Sequence, residues 1–208
     1  MTKYPVRAVK VGGSLFDLPE LNERLERWLD DQPAATNFLI AGGGPLAESI
    51  RELDQLHTIG ETPAHWLCVR AMGVTARLLL DLLADTALID NLADAKKLIQ
   101  SRPVRNAVFD SSLLLISNEP RLPPEPLPQD WSVTSDSIAA RVAEILHADE
   151  LVLLKSALPE SAIIRDASQA GYLDPYFPVV AKRLAQVRCV NLRTVGFQEL
   201  QMTSHDNY

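Results

Sequence analysis

The sequence is poor in cysteine and in positive charge. It has two cysteines, Cys68 and Cys189, which are too far apart for a metal-site spacing and too few for a disulfide scaffold. We therefore expect reduced thiols in a cytoplasmic protein. Acidic residues outnumber basic ones by 27 to 20, giving a net charge of -7. Because a phosphate backbone requires a clustered basic face, this balance argues against nucleic-acid binding.

Long apolar runs are also missing. The longest candidate, residues 76–84, is interrupted by Arg77 and Asp81 and is far shorter than the roughly 20 residues of a membrane span. The first eleven residues place three basic side chains within their apolar run, which excludes a secretory signal there. We expect no membrane association.

What is present is the composition of a globular protein, with 47% apolar and 23% charged residues. A chain of 208 residues is long enough to bury one core, so we expect a single domain over residues 1–208. The one shift in composition is the segment 122–129, which contains four prolines. We interpret it as an ordered surface loop, because the alternation of strands and helices resumes after it.

Strand and helix patterns alternate along the chain. Apolar runs predict strands at residues 6–11, 37–41, 87–89, 107–109, 113–116, 151–154 and 187–192, the last of these being the final strand. Helical spacing predicts helices at 18–29, from Pro45 onward, at 63–84, at 92–100 and from Ser135 or Asp136 to about His147. Because most strands are continuous apolar runs, we predict a three-layer α/β/α sandwich with a mainly parallel central sheet. The helix at 63–84 is apolar on more than one side, as expected either beside a second subunit or for a wholly internal helix.

Two glycine-rich turns follow buried strands: Gly12-Gly13 after the first and Gly42-Gly43-Gly44 after the second. Ligands of parallel sheets bind where strands exit into loops, and glycine there lets backbone N–H groups approach an anion. Neither turn contains G-x-x-x-x-G-K-[ST] or G-x-G-x-x-G, which argues against a Walker-type NTPase and a dinucleotide oxidoreductase. A glycine pair that merely turns the chain is the simpler alternative.

Two lysines end otherwise apolar strands. An unpaired ammonium is costly inside a strand, so we favour Lys10 at the strand end facing an anion over a side chain that reaches out to solvent. Lys155 repeats this argument, with Asp149 and Glu150 as alternative surface partners. Asp136 is interpreted equally well as a functional carboxylate or as a helix cap. The histidines have no metal-site spacing, and we predict no metal site formed by side chains.

Four motifs in order resemble the amino acid kinase superfamily, which includes acetylglutamate, aspartate, uridylate, carbamate and isopentenyl phosphate kinases. They are Val9-Lys10-Val11-Gly12-Gly13-Ser14, Ala41-Gly42-Gly43-Gly44-Pro45, Thr134-Ser135-Asp136-Ser137-Ile138-Ala139-Ala140 and Leu153-Leu154-Lys155-Ser156. The resemblance covers about residues 6–192. It implies an amino acid kinase-like fold, ATP and Mg²⁺ as cofactors, and a homo-oligomer.

The resemblance also implies roles for individual residues. Lys10 would contact the transferring phosphoryl group, Asp136 would orient the lysine ammonium groups, and Lys155 would be a second cation. The remaining candidates are Gly12, Gly13, Ser14 and Ser156 for the nucleotide phosphates, and Gly42, Gly43, Gly44, Thr134 and Ser135 for the acceptor. Asp174 and Tyr176 are candidate nucleotide contacts, although a turn built on Pro175 explains them equally well.

Two departures from the superfamily pattern change these expectations. Many members carry a lysine after a glycine-rich stretch in the last third of the chain, and residues 171–177 have none. Lys155, rather than Lys182, is then expected to be the second cation. The usual V-D-G-V element is replaced by residues 157–160. Residues 131–137, 154–156 and 171–177 look most like the small kinases of methanofuran biosynthesis, which phosphorylate an aminomethylfuranmethanol phosphate to its diphosphate.

We therefore expect an ATP-dependent kinase of a small acceptor that bears a phosphate or a carboxylate, working by alignment and charge neutralisation. The alternative is a nucleotide- or oxyanion-binding storage or sensor protein on the same fold, which the two departures favour. Both require Lys10, Lys155 and the two glycine turns to meet at one pocket.

Overall fold

The computed structural model of the protein describes residues 4–101 and 106–204. Within them, seven strands form one sheet in the order β3-β4-β2-β1-β5-β6-β7. In chain order the elements are β1 Val6–Val11, α1 Leu21–Asp30, β2 Thr36–Ala41, α2 Gly44–His57, α3 Glu61–Leu82, β3 Ala87–Ile89, α4 Leu92–Gln100, β4 Asn106–Phe109, α5 Ser111–Ser117, α6 Ser135–Ile145, β5 Glu150–Lys155, α7 Ile164–Gln169, α8 Phe177–Ala181, β6 Val187–Asn191 and β7 Glu199–Met202. Strands β1 to β6 pair in parallel.

Helices cover both faces of the sheet. Successive strand residues point to opposite faces, so Ala8 and Leu153 enter one apolar cluster while Val9 and Val152 enter the other. The first cluster is covered mainly by α6, α7 and α8, and the second by α1, whose Trp28 is fully buried. This is the predicted three-layer sandwich with a mainly parallel sheet, and that prediction is confirmed.

One predicted strand is a helix. Residues 113–116 lie in α5, which begins where the Asp110 carboxylate accepts a hydrogen bond from the Ser112 backbone N–H at 3.1 Å. Leu114 and Leu115 are buried while the residues on either side of them are exposed, a helical rather than an alternating pattern. A short apolar run does not distinguish the two, so the strand prediction was wrong.

The strand predicted at residues 187–192 is present as β6, but it is not the final strand. Residues 187–192 are followed by β7, which pairs antiparallel with β6 through the register Val187↔Met202. Strand β7 is a short, partly exposed strand at the sheet edge, so it lacks the continuous apolar run that marks the buried strands.

The proline-rich segment lies on α6 and is held by Arg141. The guanidinium of Arg141 donates to the Glu119 carboxylate at 3.1 Å and to the Leu122 carbonyl at 2.8 Å. Glu119 also accepts the Leu127 backbone N–H at 3.0 Å. A buried ion pair thus fixes both ends of the segment, which leads into the start of α6. In the described ranges, no helix is both long and apolar enough to cross a membrane.

Candidate active site

The two glycine turns touch at the carboxyl edge of the sheet. Strands β1 and β2 are neighbours, and the Gly42 backbone N–H donates to the Val11 carbonyl at 2.9 Å. A Cβ atom on Gly13 would lie 2.6 Å from the backbone N of Gly44, and one on Gly42 would lie 2.8 Å from the backbone N of Gly13. Only glycine permits this approach of two backbones, so the turns do more than reverse the chain.

Helix α2 starts directly at this contact. Gly43 occupies its N-cap position without a side-chain hydrogen bond, and Gly44 has a φ of +56°, which favours glycine. Pro45 follows in the first turn and carries no N–H. The start of α2 therefore presents backbone donors and a positive dipole end to the cavity, an arrangement that suits an anion.

The strand period places Lys10 and Lys155 on the same face of the sheet. Lys10 is two residues after Ala8, and Lys155 is two residues after Leu153, and both apolar residues enter the same cluster. Strands β1 and β5 are adjacent, with Lys10 in register with Leu153. Both lysines thus point toward the start of α6.

Asp136, in the first turn of α6, bridges the two ammonium groups. Its Oδ1 lies 2.9 Å from Lys10 Nζ, and its Oδ2 accepts a hydrogen bond from Lys155 Nζ at 2.7 Å. The side chains of Lys10, Asp136 and Lys155 are 6%, 7% and 14% exposed. Two positive charges and one negative charge leave a single net positive charge in a nearly dry place. Because such a charge is costly without a partner, the cluster favours binding of an anion.

Protonation states follow from this geometry. Burial alone would raise the pKa of Asp136, but the ammonium groups of Lys10 and Lys155 outweigh it, and the pKa is lowered. Burial lowers the pKa of Lys155, and Lys10 adds to this effect while Asp136 opposes it. Among the described residues, Asp136 Oδ1 faces Lys10 Nζ at 2.9 Å and has no other polar partner. Because an ammonium group has three N–H donors, Lys10 can still donate to a bound anion.

A cavity of about 440 Å³ opens above these groups. Cationic side chains line it at both ends, with Lys10 and Lys155 at the sheet and Arg51 on α2. Its wall between α3 and α6 is largely apolar. The residues of this wall are Val69, Met72, Val133 and Ile138, with His65 and Cys68 beside them.

Arg51 and Trp131 are cavity residues that the sequence analysis did not assign to the site. The Arg51 guanidinium donates to Glu48 at 2.8 Å and lies 5.5 Å from the centre of the Trp131 ring. The Trp131 Nε1–H donates to Asp54 at 3.1 Å. Glu48 and Arg51 follow Gly44 at helical spacing, so all three lie on one face of α2. From the sequence, this spacing could have predicted that Glu48 and Arg51 lie at the site.

Most of the predicted site residues converge on this cavity. Ser14 and Ser156 bring the exits of β1 and β5 together through hydroxyl oxygens 2.8 Å apart. The following candidates line the cavity: Lys10, Gly12, Gly13, Ser14, Gly43, Gly44, Thr134, Ser135 and Lys155. Gly42 lies just behind them, where its carbonyl accepts the Thr75 hydroxyl at 2.8 Å.

Asp174 and Tyr176 lie outside the cavity. The buried Asp174 carboxylate accepts the backbone N–H groups of Thr134 at 3.0 Å and of Ser137 and Phe177 at 2.9 Å, and also both hydroxyls of Thr134 and Ser137. Asp174 therefore caps α6, the role that was one of the two interpretations of Asp136. Tyr176 packs against the core, and its backbone N–H donates to the Ser132 carbonyl at 3.1 Å.

No protein-family model matches the chain. Over 146 residues it is 25% identical to the [5-(aminomethyl)furan-3-yl]methyl phosphate kinase of Methanocaldococcus jannaschii, an alignment that spans 70% of this chain and 63% of that protein. Among solved structures, the uridylate kinase of Archaeoglobus fulgidus superposes with a TM-score of 0.59 at 18% identity, covering 89% of each chain.

The UMP kinases of Bacillus anthracis and Ureaplasma parvum superpose with TM-scores of 0.65 and 0.64 at 12% and 14% identity. The first alignment covers 97% of this chain and 100% of that kinase, and the second covers 94% and 93%. At these identities the superpositions establish the fold. All these proteins are kinases of the superfamily whose motifs the sequence resembles, so the resemblance is confirmed.

Proposed function

We propose that this chain, which has the amino acid kinase fold, is an ATP-dependent phosphotransferase for a small acceptor that bears a phosphate. The observation that carries the proposal is the shared Asp136 carboxylate, which fixes the ammonium groups of Lys10 and Lys155 beneath two touching glycine turns. Phosphoryl transfer needs little covalent chemistry beyond alignment and neutralisation of charge on the phosphoryl oxygens. Fixed donors in a nearly dry cleft provide both.

The position of each residue at the cavity suggests its role in the transfer. The backbone of Gly12 and Gly13 and the Ser14 hydroxyl would bind the terminal phosphates of ATP, and Lys10 would contact the transferring group. Lys155, on the side of Ser156, would neutralise the charge that develops on the phosphoryl oxygens. An acceptor oxygen attacks the γ-phosphorus as the bond to the β–γ bridging oxygen breaks, leaving ADP and the phosphorylated acceptor.

The donor set fits Mg²⁺ only as a complex with ATP. Throughout the described residues, no group of three or more His, Cys, Asp or Glu could hold a metal ion. Phosphate oxygens and water would therefore supply most Mg²⁺ ligands, as is common at nucleotide sites. The bound ion would offset phosphate charge that two lysines alone leave unbalanced.

The protonation states favour an acceptor that is already anionic. Asp136 is held ionised between two ammonium groups, so it is a poor general base for an alcohol. His65 lines the cavity, but burial lowers its pKa, and this makes its imidazole a weaker base. A phosphate oxygen needs no deprotonation before it attacks. A phosphomonoester that becomes a diphosphate fits this site better than an alcohol does.

We further propose an aminomethylfuranmethanol phosphate-like compound as the acceptor. The named substrate of the 25%-identical relative supports this choice, as does the apolar wall that includes Val69 and Met72. That wall suits a small, flat, weakly polar ring. Arg51 then lies where it can bind an anionic part of the acceptor, and Glu48 where it can pair with an ammonium group.

A direct test is transfer from ATP to [5-(aminomethyl)furan-3-yl]methyl phosphate, followed by ADP release and by ³¹P NMR of the diphosphate. We expect product with the wild type and a loss of at least about 100-fold in kcat for Lys10→Met, which removes one phosphate donor. Lys97→Met, at an exposed lysine, is the matched control. If Lys10→Met retains activity within a few fold, the assignment is wrong.

A nucleotide- or oxyanion-binding storage or sensor protein is the second candidate. Its support is the segment 171–177, which carries no lysine, and the altered segment 157–160 after β5. Nucleotide binding by calorimetry without ADP release across a broad panel of phosphate and carboxylate acceptors would decide for it.

We also propose that the protein is a cytoplasmic homo-oligomer. Helices α2 and α3 carry large apolar side chains that are more than a third exposed, and a second copy is the partner we propose for this face. These residues are Leu46, Leu53, Leu56, Leu67, Val74, Leu78 and Leu82. Sedimentation velocity of the purified chain tests this, and a monomer at micromolar concentration would contradict it.

A further inference from the structure

The Lys155 ammonium group, which pairs with Asp136 and lines the cavity, also contacts Tyr172. The Lys155 Nζ donates a hydrogen bond to the Tyr172 backbone carbonyl. The same Nζ lies 4.2 Å from the centre of the Tyr172 ring, within the range of a cation–π contact. One residue thus contacts the ammonium through a carbonyl dipole and through an aromatic face.

The position of Tyr172 is itself fixed at both ends. Gly171 has a φ of +75° after α7, a value that favours glycine, and the Tyr172 backbone N–H then donates to the Ala167 carbonyl at 2.9 Å. At the far end of the side chain, the hydroxyl donates to the Ala157 carbonyl at 2.9 Å. Tyr172 therefore ties the segment after α7 to the segment after β5, with the Lys155 ammonium between the two ties.

We propose that Tyr172 is a positioning residue that keeps Lys155 protonated and directed toward the transferring phosphoryl group. The inference rests on the proposed kinase function for its catalytic consequence, while the effect on Lys155 itself does not. An aromatic face and a carbonyl oxygen both stabilise a cation but not a neutral amine. Their combined effect offsets part of the burial that disfavours the charge on Lys155.

Three titratable groups besides Tyr172 face Lys155 from the surrounding elements, and none of them replaces the effect of the Tyr172 ring on its charge. Asp136 on α6 favours the ammonium, and Lys10 on β1 disfavours it. Cys189 on β6 also lies close, but burial raises the pKa of its thiol to about 11, so it is neutral at physiological pH. Burial likewise raises the pKa of the Tyr172 hydroxyl, which keeps the ring uncharged.

Two substitutions at position 172 separate the ring from the hydroxyl. Tyr172→Phe keeps the aromatic face and loses the bond to the Ala157 carbonyl, whereas Tyr172→Leu loses the face as well. The pKa of Lys155 is measured directly by ¹³C NMR titration of protein labelled in lysine, with the resonance assigned through Lys155→Arg. We expect Tyr172→Leu to lower this pKa by about one unit relative to both wild type and Tyr172→Phe.

Activity provides the second readout. The basic limb of the kcat profile against pH should move to lower pH in Tyr172→Leu by the same amount as the pKa of Lys155. At pH values well above the pKa of Lys155 we expect kcat to be about tenfold lower than in the wild type, with the KM for ATP unchanged within about threefold, and Tyr172→Phe to restore most of kcat. A purely structural role for the ring would leave the position of the basic limb where it is in the wild type.

The outcomes are distinguishable. An equal pKa of Lys155 in all three proteins overturns the inference, whether or not the protein is a kinase. A pKa that falls in Tyr172→Leu, in a protein that transfers no phosphate, sustains the effect on Lys155 and counts against the proposed function. If Tyr172→Leu does not fold, phenylalanines with increasing fluorination at position 172 weaken the ring face without changing its shape. The pKa must then fall with each added fluorine, and a constant value overturns the inference.

Discussion

Replacing Asp136 with asparagine isolates the electrostatic part of the site. Asparagine has nearly the same shape, but it leaves the ammonium groups of Lys10 and Lys155 without the carboxylate that lies 2.9 and 2.7 Å from them. Removing one partner of a buried ion pair costs about 3–5 kcal/mol. Since 1 kcal/mol moves the Tm of a protein of this size by about 2–4 °C, we expect a decrease of roughly 6–20 °C at pH 7.

The decrease should depend on pH in a defined direction. Without Asp136, the pKa of Lys155 in the folded protein falls further below its unfolded value of about 10.4. The folded state then binds fewer protons than the unfolded state, so stability rises with pH up to that value. The gap in Tm between wild type and Asp136→Asn should therefore narrow from pH 7 to pH 10.

At low pH, the difference in Tm narrows because the wild type loses stability, not because the variant gains it. The pKa of Asp136 is lowered in the wild type, so its contribution to stability is complete above the unfolded value of about 3.9 and is lost as pH falls through the folded value. Asp136→Asn has no such group to protonate. The gap between the two proteins should therefore also narrow below about pH 4.

Scanning calorimetry from pH 3 to pH 10 measures both effects. Asp94→Asn is the control, because the contact between Asp94 and Lys97 is 2.8 Å long but exposed. We expect it to leave the Tm unchanged within error. Equal melting of Asp136→Asn and Asp94→Asn at pH 7, or a gap that stays constant with pH, would refute the account of a buried charge cluster.

Three further predictions concern other parts of the molecule. Gly13→Ala places a Cβ 2.6 Å from the backbone N of Gly44, so the turns must separate and calorimetry should show ATP binding weakened by about tenfold or more. Arg51→Ala should raise the KM for the acceptor by about 10- to 100-fold while the KM for ATP stays constant, and equal changes in both would refute the acceptor role. Val74→Glu adds a charge at a 57% exposed site on α3 and should shift sedimentation toward the monomer while the far-UV circular dichroism of the protein stays unchanged, whereas unchanged sedimentation would exclude this face.

The strands and the two lysines were predictable because their signals are local. Strands β1 and β5 are largely apolar runs with a lysine as the second-to-last and the last residue, and β2 is one that glycines follow. The parallel arrangement follows from helices between strands, and it brings the three exits to one edge. The two-residue strand period then turns Lys10 and Lys155 to the same face. Nothing beyond short-range pattern was needed for these elements.

The cap of α6 was not predictable by the same means. The helix starts where it does because Asp174, 40 residues beyond Thr134, accepts donors from its first turn. That long-range contact moves Asp136 from the cap into the first turn, where its carboxylate reaches both lysines. The error at residues 113–116 is of the same kind, since packing against α3 and α6 decided between two local structures that the pattern allows.

Tyr172 eluded sequence reasoning for a different reason. One of its two contacts with Lys155 is made by the backbone carbonyl. Every residue has such a carbonyl, so no sequence pattern reveals this contact. The second contact requires the Tyr172 ring to lie over an ammonium group on a different element. From the sequence alone, the side chains of the neighbouring Asp174 and Tyr176 are equally good candidates for a site. Only the path of the chain after Gly171, with its positive φ, separates the three.

The balance of charge at the cavity favours catalysis with Mg²⁺ over storage of a single anion. Asp136 and Glu48 offset two of the three charges of Lys10, Lys155 and Arg51, and Asp17 is paired with Arg193, so the side chains at the cavity leave only about one net positive charge. ATP and a phosphorylated acceptor bring several negative charges to this place. Under the proposed function, the two lysines would neutralise the phosphoryl group but not the whole of both ligands, and a divalent cation would supply the difference. ATP binding should therefore weaken strongly when Mg²⁺ is chelated, while a small oxyanion, which needs only the two lysines, should bind equally well with and without it.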